Sequence, residues 1–208
     1  MLYNKNNLFI SRFMHHYIKW IVSRHFYELL FNAVEVDRQK SILLIGNHFS
    51  FWDGLVLYCV CDRLLKKKLH VMILEGTARK NPALRYAGAF SVNKNSRDVL
   101  LSINYAADLL NDANNLVLIY PQGKLYSNFV SQVHFDKGVW RIIQQAHGRF
   151  QLMFAATFIQ YLKYKKPTAT VYLKTITDNL TYKSIDELAA AYQQHYSSAK
   201  ELQTEIAL

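Results

Sequence analysis

Apolar residues follow two rhythms along this chain. In the first they stand in short unbroken runs: residues 41–45, 70–74, 116–120 and 152–159. Runs of that length, bounded by polar or turn residues, read as strands covered on both faces. Residues 170–176 alternate instead and read as a further strand, and 89–92 as a short extended piece after the punctuation of Pro82 and Gly88. In the second rhythm apolar positions recur at helical spacing. From about 7 to 31 they are Leu8, Phe9, Phe13, Tyr17, Trp20, Ile21, Phe26, Leu29 and Leu30. Further helices are expected over 53–61, from Arg97 to about Leu110 with Asn95 or Ser96 as cap, and over 136–147 closed by Gly148. Ser184 and Glu187 form a capping box; the helix they open carries Leu188, Tyr192, Tyr196, Ala199 and Leu202 on its apolar side. Strands alternating with helices predict one α/β layered domain: a central mixed sheet flanked by helices, plus an N-terminal amphipathic helical segment. The segment spans 1–35 and the domain 36–208.

Composition narrows the partners. The chain has 208 residues, 51% of them apolar, enough for one packed domain. A formal net charge of +10 favours an anionic partner, and 14 Tyr, 12 Phe and 3 Trp suit either stacked bases or a lipid interface. In the N-terminal segment, aromatic residues interleave with Lys5, Arg12, Lys19 and Arg24, which fits a helix lying in a membrane interface; a helix packed on its own domain has the same periodicity. The triplet Lys66-Lys67-Lys68 reads as a solvated turn. Residues 41–61 are hydrophobic enough to suggest a spanning helix, but Asn47, His48, Ser50 and Asp53 fall in its middle, so none is expected. Cys59 and Cys61 are too close for a metal site and read as small buried hydrophobes in a reducing, intracellular protein. No secretory signal is visible.

The stretch Asn47-His48-Phe49-Ser50-Phe51-Trp52-Asp53 follows the first apolar run. On a helix, positions five apart lie about 140° from each other, so His48 belongs in the loop and Asp53 in the first turn of the next helix. There Asp53 can hold one ring nitrogen and leave the other as a proton acceptor; a structural histidine would look the same in sequence. Asn47-His48-x-Ser50-x-x-Asp53 resembles the first motif of the lysophospholipid acyltransferase family, of the 1-acylglycerol-3-phosphate acyltransferase type. Three more segments follow in the family's order. Residues 88–94, led by Gly88 and ending at Lys94, are similar to its second block. Tyr120-Pro121-Gln122-Gly123 resembles its third, Phe-Pro-Glu-Gly-Thr-Arg-Ser. Phe135-x-Lys137-Gly138 resembles the Phe-x-x-Gly that opens its next helix. The fourth block, at 152–159, lacks the usual Pro.

The resemblance implies an acyltransferase that moves a fatty acyl group from an acyl thioester to a lipid hydroxyl or amine. His48 is the implied general base and Asp53 its orienter. Asn47, Ser50, Lys94, Pro121, Gln122, Gly123 and Lys124 are the implied substrate-binding set, with Gly123 allowing close backbone approach for the oxyanion. It implies no metal and no cofactor; acyl-CoA or acyl-carrier protein is the donor substrate. The expected partners are a lipid acceptor and an anionic membrane surface, at the cytoplasmic face and peripheral or monotopic. Nucleic acid is not expected, for no Gly-rich RNA motif or zinc spacing is present. Two departures stand out. The family's Glu is Gln122, and its Thr-Arg is Lys124-Leu125, with Ser127 one place late. Lys124 can meet an anion as a point charge but not as a fork, so a phosphate-free acceptor or a non-catalytic membrane-associated member stays open. A serine hydrolase is disfavoured, since no Gly-x-Ser-x-Gly elbow occurs.

Overall fold

The computed structural model describes residues 1–93, 98–147, 150–177 and 182–204. A seven-stranded mixed sheet runs in the order β1-β7-β6-β2-β5-β3-β4. Its strands are β1 (Glu28–Phe31), β2 (Ser41–Gly46), β3 (Lys68–Leu74), β4 (Ala89–Val92), β5 (Asn115–Ile119), β6 (Phe150–Gln160) and β7 (Thr168–Ile176). Neighbours are parallel except β6 and β7, which form an antiparallel hairpin. The helices are α1 (Leu8–His25), α2 (Asp53–Val60), α3 (Glu75–Lys80), α4 (Val99–Leu109), α5 (Gly138–Gln145) and α6 (Ile185–Thr204).

The unbroken apolar runs have a simple cause. Side chains of a strand alternate between faces, and here both faces are covered. Leu43 and Ile45 of β2 join a core with α4, α5 and α6, while Ile42 and Leu44 join a second core with α1 and α2. The functional loops therefore leave the carboxyl ends of parallel strands packed on both sides.

Several sequence expectations change. The helix expected to reach Phe31 ends at His25, and residues 28–31 become β1. Phe26 leaves the helix with extended dihedrals, Tyr27 N–H donates to Pro167 O at 2.8 Å, and Leu29 to Phe31 pair in parallel with β7. Tertiary pairing overrides a helical spacing that Leu29 and Leu30 only mimicked. The N-terminal segment is also part of the core, since α1 buries Met14, Ile18 and Val22. The lysine triplet is not simply solvated: Lys67 Nζ donates to Arg38 O at 2.9 Å and to Ala113 O at 2.7 Å, tying two loops together. Before it, α2 continues into a π-helical turn, Cys61–Leu65, ending at Lys66 with φ of 55°. Cys59 and Cys61 are free and buried, as expected.

Helix α3 and the 3₁₀ turn Pro82–Ala87 were not read from sequence, being too short to show a period. Gly88 follows with φ of +97°, and a Cβ there would stand 2.0 Å from Leu69 O, so only glycine lets this chain lie against β3. Helix α4 runs from Val99, and the expected start at Arg97 and the caps expected at Asn95, Ser96 and Gly148 lie outside the described residues. At α6, Ser184 Oγ accepts from Glu187 N–H at 3.2 Å, while Glu187 Oε2 accepts from Lys183 N–H at 2.8 Å, one residue upstream of the expected reciprocal bond. Leu188, Tyr192, Tyr196 and Ala199 are buried, but Leu202, near the chain end, is exposed.

His70 of β3 is buried between Asn4 Nδ2, 3.0 Å from Nδ1, and Asn115 Oδ1, 3.1 Å from Nε2. Burial lowers its pKa from 6.5 to about 4 despite the Asn115 hydrogen bond. A depressed histidine pKa means that the unfolded chain takes up a proton which the folded chain refuses. Stability is therefore full above pH 6.5 and falls as the pH drops toward 4. Urea titrations should show a loss of about 2 kcal/mol from this group between pH 7 and pH 5, diminished in His70→Gln. An unchanged slope in that variant would place the acid sensitivity elsewhere.

Candidate active site

Strand β2 ends at Gly46, and the loop 47–52 carries the chain into α2. Asp53, the first residue of α2, is fully buried and accepts four hydrogen bonds from the loop. Its Oδ2 accepts from His48 Nδ1 at 2.8 Å, from Phe49 N–H at 2.7 Å and from Ser50 N–H at 2.9 Å; its Oδ1 accepts from Ser50 Oγ at 2.6 Å. A buried carboxylate is tolerated where charge-assisted hydrogen bonds replace its water, and the amino end of α2 adds a favourable dipole. Ser50 Oγ in turn accepts from Trp52 N–H at 3.1 Å, so it is a loop brace whose hydroxyl is committed to Asp53.

His48 is fixed on its other sides as well. Its ring stacks on Tyr120 with centroids 4.3 Å apart and planes 16° from parallel. Its backbone N–H donates to Gln122 Oε1 at 2.6 Å, and its carbonyl accepts from Tyr126 N–H at 3.1 Å. With Nδ1 on Asp53, the nitrogen left for a substrate is Nε2. Asn47 is a strut: its side chain donates to Thr157 O at 2.9 Å and accepts from Thr157 N–H at 2.8 Å, locking the end of β2 to β6.

The turn after β5 supplies the facing wall. Gly123 takes φ of +63° and its N–H closes the turn onto Tyr120 O at 3.2 Å, so it gives the cavity a bare backbone while its donor is already engaged. Pro121 and Gly123 line the cavity, and Lys124, exposed at the wall, holds its ammonium 5.0 Å from the Tyr126 ring centroid. Gln122 is buried and serves the His48 backbone. Lys94 lies outside the described residues.

His48, Ser50, Pro121, Gly123 and Lys124 border a cavity of about 630 Å³. It sits at the carboxyl edge of the parallel strands, where open α/β sheets bind ligands. The cavity is lined by apolar residues from both cores, one on each face of the sheet. Ile18, Leu55, Tyr58 and Leu69 come from one core and Val99, Ile103, Val139 and Ile142 from the other. Sequence reasoning did not find these walls, because they come from elements distant in the chain. Nor did it give Tyr120 a role, although the residue stands in a quoted motif. Its hydroxyl is buried, finds no hydrogen-bond partner among the described residues, and is held neutral by burial and then by the nearby Asp53 charge. Among the described residues no cluster of His, Cys, Asp or Glu is placed to hold a metal ion.

Residues 30–162 match the family described as Acyltransferase. No curated protein matches the chain. Among solved structures, the fold is similar to the crystal structure of the 1-acyl-sn-glycerophosphate (LPA) acyltransferase PlsC from Thermotoga maritima. The TM-score is 0.64 at 14% identity, over 95% of this chain and 81% of that one.

The Gln122 bond yields a direct expectation. Gln122→Leu leaves the His48 N–H without its acceptor in a half-buried loop and should cost about 1–3 kcal/mol in urea unfolding. Wild-type stability would mean that the bond does not hold the loop.

Proposed function

The chain belongs to the acyltransferase family, and we propose that it transfers a fatty acyl group from an acyl thioester, acyl-CoA or acyl-carrier protein, to a hydroxyl or amine of a lipid acceptor. The observation that carries this reading is His48, bonded through Nδ1 to a buried Asp53 at 2.8 Å and bordering an apolar cavity of about 630 Å³. Such a cavity suits an acyl chain, and the histidine is where its carbonyl carbon would arrive.

In the proposed reaction His48 Nε2 takes the proton of the acceptor as its oxygen or nitrogen attacks the thioester carbonyl. Asp53 fixes the tautomer and stabilises the imidazolium. The tetrahedral intermediate collapses with cleavage of the C–S bond, and the proton held on His48 passes to the departing thiolate. Attack is direct, so no covalent enzyme intermediate is required, and Ser50, already committed to Asp53, is not the nucleophile. Lys124 stands at the cavity wall as a point charge for an anionic head group or for phosphates of the donor. The change from Glu to Gln122 keeps the acceptor that the His48 backbone uses, which supports retained activity over a non-catalytic role. A phosphate-bearing acceptor such as 1-acylglycerol 3-phosphate is the first to try, given the likeness of fold to PlsC.

Peripheral membrane docking belongs to the same proposal. The outer face of α1 leaves Phe9 85%, Phe13 66% and Trp20 58% exposed, flanked by Arg12 and Arg24. Phe51 and Leu125 border the cavity, and Phe129 in the turn beyond is 88% exposed. Among the described residues no helix is long and apolar enough to cross a membrane. Aromatic side chains interleaved with basic ones suit insertion into an anionic interface.

His48→Ala and Asp53→Asn should fold and lose about 10³–10⁴-fold in acyl transfer, followed as thiol release from acyl-CoA with a lipid acceptor. Rates near wild type in either variant would remove His48 as the base. Replacing Phe9 and Phe13 together by Ser should lower sedimentation with phosphatidylglycerol vesicles by about tenfold, from apolar area withdrawn from the bilayer. Equal sedimentation would make α1 a core helix and nothing more.

A further inference from the structure

The hairpin of β6 and β7 stands out from the edge of the sheet that carries His48. Strand β6 is parallel to β2, and the last residue of β2, Gly46, pairs with Ala155. Strand β6 then runs on to Gln160, which pairs with Thr168 at the start of β7. Those five further residues carry the hairpin tip, 161–167, about 16 Å past the strand end from which the His48 loop departs. The tip is one-signed. It contains Lys163, Lys165 and Lys166, all exposed, and no acidic residue. Among the described residues none of the three lysines forms an ion pair. Lys163 Nζ lies 5.7 Å from the Tyr164 ring centroid.

The tip is also firmly mounted. Tyr164 N–H donates to Tyr161 O at 3.0 Å, Tyr27 N–H donates to Pro167 O at 2.8 Å, and the rings of Tyr27 and Tyr164 stack with centroids 3.6 Å apart. Aromatic contacts continue from there toward the cavity. Phe26, next to Tyr27, meets Trp52 edge to face at 5.2 Å; Trp52 meets Phe51 at 5.5 Å, and Phe51 borders the cavity. A cationic platform is thereby joined to the cavity mouth by one continuous surface.

We propose that this hairpin tip is the docking surface for an acidic acyl-carrier protein, which presents its acyl thioester to His48 on a phosphopantetheine arm. The inference rests on the acyl-transfer reading and adds to it the donor and the place where the donor sits. A carrier seated on the tip stands off from His48, and an extended arm is the tether that closes such a distance. Lysines on a fixed mount are matched by acidic side chains of a folded partner with little ordering cost on binding. The tip also differs from the outer face of α1. There Leu8, Phe9, Phe13 and Trp20 lead the exposed surface, which suits withdrawal of apolar area into lipid. At the tip the lysines lead over Tyr161 and Leu162, which suits a steered encounter with a soluble partner that leaves after each turnover. The C–S bond that breaks then joins the acyl chain to the arm. The arm departs as a thiol with the proton that His48 took from the acceptor.

The test compares the wild-type protein with two triple variants at 163, 165 and 166, one with each lysine replaced by Ser and one with each replaced by Glu. Binding is read by fluorescence anisotropy of a labelled acidic acyl-carrier protein bearing a palmitoyl thioester. The serine variant should bind about tenfold more weakly at low salt and the glutamate variant more weakly still, with the difference shrinking as salt is raised. Thiol release from palmitoyl-CoA should be unchanged in both. Equal carrier binding by wild type and variants would overturn the proposal, even if the variants lost sedimentation with phosphatidylglycerol vesicles, which would make the tip a lipid contact. An equal rise in KM for palmitoyl-CoA and for the palmitoyl carrier would also overturn it, assigning the lysines to donor phosphates. A wild-type protein that uses palmitoyl-CoA but does not bind the carrier would lose the docking surface and keep the acyl-transfer reading. Lysine-dependent carrier binding without transfer from either donor would remove the acyl-transfer reading and leave the surface standing.

Discussion

A single buried carboxylate organises this site. Asp53 has no water to solvate it, so the protein must supply hydrogen bonds, and the loop from β2 into α2 supplies them from His48, Phe49 and Ser50. That requirement fixes the path of the loop, and the path fixes the imidazole. The stack on Tyr120 and the bond from the His48 N–H to Gln122 add two constraints from the turn after β5. The result is a histidine with one nitrogen committed and its surroundings preorganised, the condition under which a general base costs little reorganisation.

The parallel sheet makes that arrangement possible. Adjacent strands β2 and β5 end side by side, so the loop with His48 and the turn with Gln122 start from neighbouring points. Asn47 extends the same logic to β6 by closing both backbone groups of Thr157. Covering both sheet faces gives two cores, and residues of both line the cavity beside His48. Rigid strands thus hold the His48 loop, while helices and the 3₁₀ turn shape the cavity beside it.

How much of this could be read in advance depended on the range of the interaction. The strand runs were legible because burial on both faces leaves an unbroken apolar signature, and the His48–Asp53 pair because both partners lie within one loop. Gln122 illustrates the opposite case. In sequence it is a departure from a familiar acidic residue; in the fold its amide oxygen meets a backbone N–H of residue 48, distant in the chain. Lys67, expected in solvent, likewise closes onto Arg38 and Ala113, and Leu29 and Leu30, spaced as in a helix, form a strand because β7 lies beside them.

The α/β class, the order of most elements, the local histidine–aspartate geometry and the family resemblance are legible along the chain, because each depends on near neighbours or on which residues avoid water. Folding adds that β1 joins the sheet, that Tyr120 stacks on the imidazole, that Gly123 spends its N–H on its own turn, and that residues from both faces of the sheet line one cavity beside His48. Those features are contacts between segments far apart in sequence. Their geometry is set by how the sheet and helices pack, a constraint that no local pattern encodes.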